Sequence, residues 1–294
     1  MTVRTLDTPR GAGRSAWIAG GLVLAALAVA AYARTAATLW TTWFTNDNYS
    51  HGPLVPLVSA VLVWMRRREL AALPVRPDAR GLALVALACA LQVVGIRGDV
   101  FAFQGWSIVV LLFGLSLTFL GTALTRALAF PIGYLVFMLT FPPIVVLQLG
   151  YALKNLAVEL STRAAILLGA NFERHGMSLL FPSGELRVEN PCSGLRSMIA
   201  LLAMGALLGG LTPGPLWRRV VLFLASVPIA ILANALRLTT LIFIAERAGV
   251  PVAGGWVHEV SGYLVYALSL GGLLALRSLF MRRAPARTSG GTPS

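Results

Sequence analysis

The chain has 294 residues, of which 57% are hydrophobic and only 12% are charged. This composition excludes a soluble globular domain and indicates an integral membrane protein. The net charge of +13 does not indicate nucleic-acid binding, because the arginines stand mainly in short loops and tails beside apolar runs, where they orient membrane segments. The two cysteines, Cys89 and Cys192, have no metal or disulfide spacing.

The first half of the chain is predicted to cross the membrane several times. Residues 1–15 are predicted to form an arginine-bearing cytoplasmic tail. The apolar run at residues 16–33 also fits a cleaved signal peptide, but the many later spans favour an uncleaved first helix. A loop rich in aromatic and polar residues follows at residues 40–52. Further spans are predicted at residues 53–65, 81–96, 106–122 and 127–141, the last ended by Pro142 and Pro143.

The segment at residues 144–168 is long enough to cross but carries a stripe of polar side chains. This stripe is typical of an interfacial or bundle-packed helix. A crossing here would also export the later arginines, whereas an outer-face helix leaves all arginine clusters in the cytoplasm. We therefore predict an outer-face amphipathic helix. The polar residues of the stripe are Gln148, Lys154, Asn155, Glu159, Thr162 and Arg163.

The second half combines a polar interval with three further predicted spans. Apolar residues alternate on both sides of Pro182-Ser183-Gly184, which predicts a small extracytoplasmic β-hairpin within residues 171–189. The resulting fold class is an all-α integral membrane protein with about eight transmembrane helices, one outer-face amphipathic helix and this hairpin. One transmembrane domain covers residues 16–280, and residues 281–294 form a disordered cytoplasmic tail. The remaining spans are predicted at residues 193–211, 220–245 and 258–280.

Cys192 is a candidate nucleophile at the outer end of the sixth span. Asn190 and Pro191 suit the N-cap and first position of a helix, which would place Cys192 in the first turn. The positive end of the helix dipole favours a thiolate there, and Arg196, four residues later, adds positive potential. The same spacing fits a small, apolar-tolerant residue at a helix end, so the pattern alone leaves both interpretations open.

Two distant residues are predicted to share the level of Cys192. Arg237 lies inside an apolar run with Asn234 on the same helical face, and a charge there requires a partner, a wet cavity or snorkelling to headgroups. His258, followed by Glu259, opens the last span from the outside. By position His258 also fits a plain interfacial residue, and His51 is an equally placed imidazole; His175, in the predicted hairpin, is the weakest candidate.

These residues carry a resemblance to the exosortase/archaeosortase family of multi-pass membrane cysteine transpeptidases. The resemblance implies that Cys192, Arg237 and His258 are the catalytic residues, and it gives His51 a supporting position. Arg196, Asn234, Ser193 and Glu259 are further supporting candidates. No metal or other cofactor is implied. The similar segments are residues 48–57, Phe137 to Pro143, Pro191 to Ser197, Asn234 to Arg237, and His258-Glu259 followed by Gly262.

The resemblance implies cleavage of C-terminal sorting signals at the outer face of the cell membrane, through a thioester on Cys192. The expected partners are the lipid bilayer and exported proteins that end in a motif, a hydrophobic helix and a basic tail; the acceptor stays unknown. A transporter or export component for surface polysaccharide is the alternative, but the first four spans carry almost no charge in their cores. A non-catalytic scaffold is a third hypothesis.

Overall fold

The computed structural model describes residues 29–187 and 195–282, which are mostly helical. Helix α1 covers residues 29–45 of this part, and a 3-10 turn follows at Asp47–Tyr49. A second 3-10 turn, Leu135–Met138, continues α6. The further helices are α2 (Leu54–Met65), α3 (Arg67–Ala71), α4 (Gly81–Arg97), α5 (Phe101–Leu120), α6 (Thr122–Tyr134), α7 (Pro143–Leu167), α8 (Leu195–Leu211), α9 (Leu216–Ala248), α10 (Val250–Gly254) and α11 (Trp256–Arg282).

Several of these helices have the length and composition of membrane spans. Within the described ranges, α5, α7, α9 and α11 are long and apolar enough to cross a membrane, and three apolar stretches are shorter. With 12 residues, α2 measures about 18 Å, well short of a hydrocarbon core of about 30 Å. The fold is therefore a helical membrane architecture, and eight crossings remain a prediction. The shorter apolar stretches are Gly81–Arg97, Thr122–Met138 and Leu195–Leu211.

The first predicted loop is partly helical. Helix α1 continues to residue 45, so Trp40 and Trp43 lie on it and not in a loop beginning at residue 40. A tertiary contact explains the difference, because Trp43 Nε1 donates to the carbonyl of Met138 at 2.9 Å. Within the helix, the Trp43 ring also lies 6.2 Å from the Trp40 ring. Helix α11 likewise extends two residues beyond the predicted boundary at residue 280. The predicted N-terminal tail lies outside the described residues.

Helices α8 and α11 both run antiparallel to α9. A Cβ added to Gly209 would contact the backbone of Arg219, and one added to Gly205 would contact Leu222 and Ser226. At the other side, a Cβ on Gly272 would meet Ile229 and one on Gly262 would meet the Arg237 guanidinium. The first turns of α11 and the described beginning of α8 therefore flank the carboxyl-terminal half of α9.

Helix α7 runs in the same direction as α9. Thr239 Oγ1 lies 3.5 Å from the carbonyl oxygen of Ser161, and the N–H of Asn171 donates to Glu246 Oε1 at 2.8 Å. Earlier in the chain, the Phe137 ring meets Phe223 at 6.4 Å. From Phe137 to Asn171 the chain thus advances along α9 without turning back. Helix α7 therefore continues the pass begun by α6. It extends along the bundle, whereas the sequence predicts a helix at its outer face.

The predicted hairpin is part of a three-stranded antiparallel sheet. Strands β2 (Ser178–Phe181) and β3 (Gly184–Arg187) pair around the predicted turn, and β1 (Glu173–His175) adds a third strand that the alternation of apolar residues did not reveal. All three residues of β1 are exposed, so it carries no hydrophobic pattern. Leu179, Phe181 and Leu186 are buried against α7 and the end of α9, as the alternation predicts.

The polar stripe of α7 is used by this sheet. Glu159 accepts hydrogen bonds from Arg163 Nε at 2.5 Å and from Arg174 Nη1 at 2.6 Å, the latter on β1. Ser183 joins the β2–β3 turn to the start of α10, since its Oγ accepts from the N–H of Val250 at 3.2 Å. The sheet is therefore attached to α7, to the carboxyl-terminal end of α9 and to α10.

Candidate functional site

Arg237 and His258, both predicted as catalytic, lie next to each other. Arg237 Nη2 donates to the carbonyl oxygen of His258 at 2.8 Å, and Nε donates to Ser261 Oγ at 2.9 Å. Ser261 Oγ in turn donates to the carbonyl of His258 at 2.8 Å. Two bonds from one planar guanidinium fix both its position and its orientation. The half-buried Arg237 side chain is thereby held against the first turns of α11.

Asn234 shares the Arg237 face of α9 and is buried, with 4% of its surface exposed. Leu195 lies ten residues before Gly205, and Asn234 lies eight residues after Ser226, the neighbour of Gly205 on α9. At a common rise of about 1.5 Å per residue, Asn234 and Leu195 lie at nearly the same height along these antiparallel helices. The described beginning of α8 therefore lies level with the Asn234–Arg237 turn.

His51 lies at a different part of the same end of the bundle. Its Nε2 is 3.0 Å from the carbonyl oxygen of Phe137, so it donates when that nitrogen carries the proton. Burial lowers the pKa of His51 below its usual value, the Phe137 bond opposes that shift, and the Arg196 charge lowers the pKa further. Neutral imidazole is thus the favoured form, and the observed contact of His51 is with backbone.

His51 belongs to a clamp formed by three side chains of residues 43–51. Trp43 Nε1 donates to the carbonyl of Met138 at 2.9 Å, and the N–H of Phe141 donates to the hydroxyl of Tyr49 at 3.0 Å. Tyr49 is 3% exposed, and burial raises the pKa of its hydroxyl. These contacts hold the bend between α6 and α7, residues 137–141, which sets the position from which α7 starts.

Arg196 connects the same loop to α8. Its Nη1 lies 3.9 Å from Asp47 Oδ1, in the 3-10 turn that precedes His51. Both side chains are more than half exposed, so the pair contributes little to stability in water. That Arg196 adds positive potential beside Cys192 stays a prediction, and its described partner is a carboxylate.

Three of the predicted site residues lie outside the described part of the chain, wholly or with their side chains, and His175 lies elsewhere. Cys192 and Ser193 lie outside the described residues, as does the predicted helix start at Asn190 and Pro191. Glu259 lies on α11, but its side chain is outside the described part. His175 is exposed on β1, with its Nε2 3.7 Å from a Glu173 carboxylate oxygen, far along the chain from the other candidates.

No metal site is formed by the described residues. In residues 29–187 and 195–282, no group of three or more His, Cys, Asp or Glu side chains is arranged to hold a metal ion. Cys89 is an exposed free thiol on α4. The described site offers one arginine with defined orientation, a histidine whose backbone carbonyl that arginine binds, and a buried amide on the same helix face.

The sequence reasoning did not single out three residues that now belong to the site region. Ser261 orients Arg237, Tyr49 holds the 137–141 bend, and Asp47 pairs with Arg196. For Ser261 a signal exists, because it follows His258 by three residues and so shares its helical face. For Tyr49 and Asp47, the partners are far along the chain, and no local pattern connects them.

Comparison with known proteins gives one family. A family model described as "Transmembrane exosortase (Exosortase_EpsH)" matches residues 40–275, about four fifths of the chain. The matched range includes Arg196, Arg237 and His258 together with the clamp residues at 43–51. No curated protein and no solved structure matches the chain.

Proposed function

The chain belongs to the transmembrane exosortase family, and from this premise we propose that it is a cysteine protease or transpeptidase of C-terminal sorting signals. Its substrates are exported proteins that end in a short motif, a hydrophobic helix and a basic tail. Cleavage takes place at the outer face of the cell membrane and passes through a thioester on Cys192. The multi-pass helical architecture supports a membrane-embedded enzyme of this kind.

The observation that supports the proposal best is the fixed fork of Arg237 beside His258. A tetrahedral intermediate carries its negative charge on one oxygen, and pre-oriented donors stabilise that charge more than mobile ones do. Arg237 is held by Ser261 Oγ and by the carbonyl of His258, so it needs little reorganisation before reaction. In the proposal Arg237 stabilises the oxyanion, and Asn234 on the same face of α9 assists.

The chemistry assigned to Cys192 and His258 balances in two steps. His258 takes the thiol proton, and the Cys192 thiolate attacks the scissile carbonyl carbon to form the tetrahedral intermediate. Collapse breaks the C–N bond, His258 returns the proton to the leaving amine, and a thioester remains. An acceptor amine, or water, then attacks the thioester carbonyl and releases Cys192. Water gives simple cleavage, and an amine gives transpeptidation.

Cys192 precedes the described beginning of α8 by three residues in the sequence. A chemical partner of Cys192 therefore has to come from the elements around that end of α8. Leu195 is buried there, and Leu195, level with Asn234, packs in one cluster with Ala230 and with Tyr266 of α11. This neighbourhood is the reason that Arg237 and His258, and not His175, are assigned the roles next to the thiol.

The polysaccharide-transport alternative requires polar groups that line a path through the spans. Three buried polar side chains of α1, α4 and α5 instead bind one another: Gln92 Nε2 donates to Thr35 Oγ1 at 3.0 Å, and Ser107 Oγ donates to Gln92 Oε1 at 3.0 Å. Polar groups satisfied inside a helix bundle stabilise packing and do not require a passing solute. These contacts favour an enzyme over a transporter.

The experiment is co-expression with an exported protein from the same genome that ends in a motif, an apolar helix and an arginine cluster. We expect processing of this protein and a mass increase on Cys192 when the second step is slow. Cys192→Ala should abolish processing, whereas Cys89→Ala, which removes the other cysteine, should leave it intact. Processing by the Cys192→Ala variant would refute the mechanism. Unchanged polysaccharide export in that variant would point to a transporter. If substitutions at Cys192, Arg237 and His258 all have no effect, the protein is a scaffold.

A further inference from the structure

A second charged region lies at the opposite end of α9 from the candidate site. Arg218 Nη1 donates to the carbonyl of Phe280 at 3.2 Å, and Arg277 Nε donates to Thr212 Oγ1 at 3.2 Å. The start of α9, the end of α11 and the loop between α8 and α9 meet through these two bonds. We call this group of residues, Thr212, Trp217, Arg218, Arg277 and Phe280, the arginine corner.

The arginine corner carries uncompensated positive charge. Among the described residues, neither Arg218 nor Arg277 pairs with a carboxylate. Arg218 Nε is buried and has no hydrogen-bond partner in the described part of the chain. Exposed Arg219 adds a third charge, and α9 begins here, so the positive end of its dipole points the same way. An anion is the ligand that this field would attract.

The end of α11 supplies the opposite dipole, but it is partly neutralised. Its last carbonyls carry partial negative charge, and the carbonyl of Phe280 is capped by Arg218. Arg218 and Arg277 each use one described hydrogen bond for a contact within the protein. The planar guanidinium has five N–H donors, and its fork matches the oxygens of a phosphate group. The corner therefore has both the charge and the donors for a phosphate ligand.

Exposed apolar residues stand within two positions of these arginines in the sequence. Leu216 is 72% exposed, Trp217 54% and Leu279 51%. The Trp217 ring packs edge-on against Phe280 at 5.4 Å, and the Arg218 guanidinium lies 5.6 Å from the centre of the Trp217 ring. Tryptophan beside arginine at the end of membrane helices is typical of the headgroup level. A soluble phosphate would use only the charge, whereas a phospholipid would also cover the apolar side chains.

We propose that the arginine corner binds the headgroup phosphate of an anionic phospholipid. Arg218 and Arg277 hold the phosphate oxygens, and the acyl chains run along Leu216, Trp217 and Leu279. The leaflet is the one on the side of the α8–α9 loop, which the arginine pattern predicts to be cytoplasmic. The site is separated from the Arg237–His258 pair by most of the length of α9, so it does not depend on the proposed catalytic function.

The test uses the full chain purified in non-ionic detergent and titrated with dioleoylphosphatidylglycerol or dioleoylphosphatidylcholine, with bound lipid counted by native mass spectrometry. We expect saturable binding of the anionic lipid, at least about tenfold tighter than binding of the zwitterionic one, since each arginine near a membrane surface contributes about a factor of five. The double variant Arg218→Gln, Arg277→Gln should lose at least about tenfold in affinity. Equal binding of the two lipids by the native chain would overturn the proposal.

The matched control is Arg67→Gln with Arg68→Gln, which removes the same charge from the same predicted side. Arg67 also lies over a tryptophan, 4.3 Å from the ring centre of Trp64, so this pair reproduces the arginine–aromatic chemistry at another place. We expect unchanged affinity; an equal loss in the control would show that net charge alone binds the lipid and would overturn the site.

A competition experiment and a single variant complete the test. Glycerol 3-phosphate should not displace the lipid at millimolar concentration. Displacement would show that the arginine corner binds a soluble phosphate and would overturn the proposal of a phospholipid ligand. If the double variant does not fold, Arg277→Gln alone keeps the Arg218 cap on Phe280 and should weaken lipid binding about fivefold. An unchanged affinity in a folded Arg277→Gln variant would contradict the proposal.

Discussion

At the scale of single residues, Arg237 combines charge with a fixed plane. Its Nε and Nη2 donate to Ser261 Oγ and to the carbonyl of His258. Lysine at this position keeps the charge but has one rotatable ammonium in place of the planar fork. The distinction matters because an oxyanion is stabilised by donors that are already in place.

We expect Arg237→Lys to lower the rate of processing of a sorting-signal substrate by about 100-fold, with little change in unfolding temperature. Ser261→Ala is the milder variant. It removes one of the two described acceptors of Arg237 and leaves the carbonyl of His258, so a loss of less than about tenfold is expected. Rates measured on the co-expressed substrate decide this. Full activity of Arg237→Lys would mean that charge suffices and that the fork is irrelevant.

His51 offers a test of electrostatics at the loop that approaches α8. Burial and the charge of Arg196 lower the pKa of His51, with burial as the larger cause. Arg196→Gln should therefore raise the pKa of His51 part of the way toward its usual value. The chain has three histidines, so the His51 ring signals can be assigned by His51→Gln and followed by NMR titration in detergent. No change of pKa would show that the Arg196 charge does not reach the ring.

The same shift has a consequence for stability against pH. The folded-state pKa of His51 lies below its unfolded value, so the folded chain binds fewer protons and stability is complete above the unfolded pKa, about 6.5. Stability falls as the pH drops through that value toward the folded pKa. His51→Gln should flatten this part of the unfolding profile between about pH 7 and pH 5; His175→Gln, on exposed β1, is the control.

At the scale of elements, α4 and α5 approach each other through glycine. A Cβ on Gly114 would stand 2.8 Å from the backbone nitrogen of Val85, and that backbone cannot move aside easily. The contact brings two apolar helices close enough for the Gln92–Ser107 hydrogen bond between them, at 3.0 Å. Small residues are used in this way where membrane helices pack by close approach of their backbones.

Gly114→Ala should destabilise the bundle by about 1–3 kcal/mol, because overpacking forces the helices apart. Gly271→Ala is the matched control: Gly271 lies inside α11, and a Cβ there meets nothing within 4 Å. That substitution should be neutral or stabilise by up to about 1 kcal/mol through helix propensity. Unfolding midpoints in detergent check both. Equal stability of the two variants would contradict the close packing of α4 on α5.

At the scale of the whole molecule, α9 connects the candidate site with the arginine corner. It has 33 residues, or about 50 Å at 1.5 Å per residue, which exceeds a hydrocarbon core of about 30 Å. The Arg237–His258 pair and the sheet lie toward its carboxyl-terminal end, and the arginine corner lies at its beginning. The two ends are therefore expected in different aqueous compartments.

Single cysteines in a background with Cys89→Ala and Cys192→Ala test this arrangement. Ser183→Cys, on the β2–β3 turn, should react with a membrane-impermeant maleimide added to intact cells. Pro213→Cys, exposed in the α8–α9 loop, should react only after the cells are opened. Labelling of both from one side would contradict the direction of α9 and, with it, the outward placement of the site.

The sequence by itself determined the membrane class, the limits of α4, the end of α8, the buried face of β2 and β3, and the common level of Arg237 and His258. These features follow from the hydrophobic period, the charge distribution and the number of membrane crossings between two residues. Each of these is a local or additive quantity along the chain. Arg237 and His258 lie side by side at one end of α9 and α11, as the count of crossings predicts. Cys192 stays a prediction from sequence.

Only the tertiary structure decided how the segments support one another. Helix α7 follows α9, where Ser161 and Asn171 have their partners. Strand β1 pairs with β2 and is linked to α7 through Arg174 and Glu159. The two motif segments at residues 48–57 and 137–143 bind each other through Tyr49 and His51. Each of these contacts joins residues that are far apart in the chain, and it depends on how the intervening helices pack. The periodicity within either segment therefore cannot predict it.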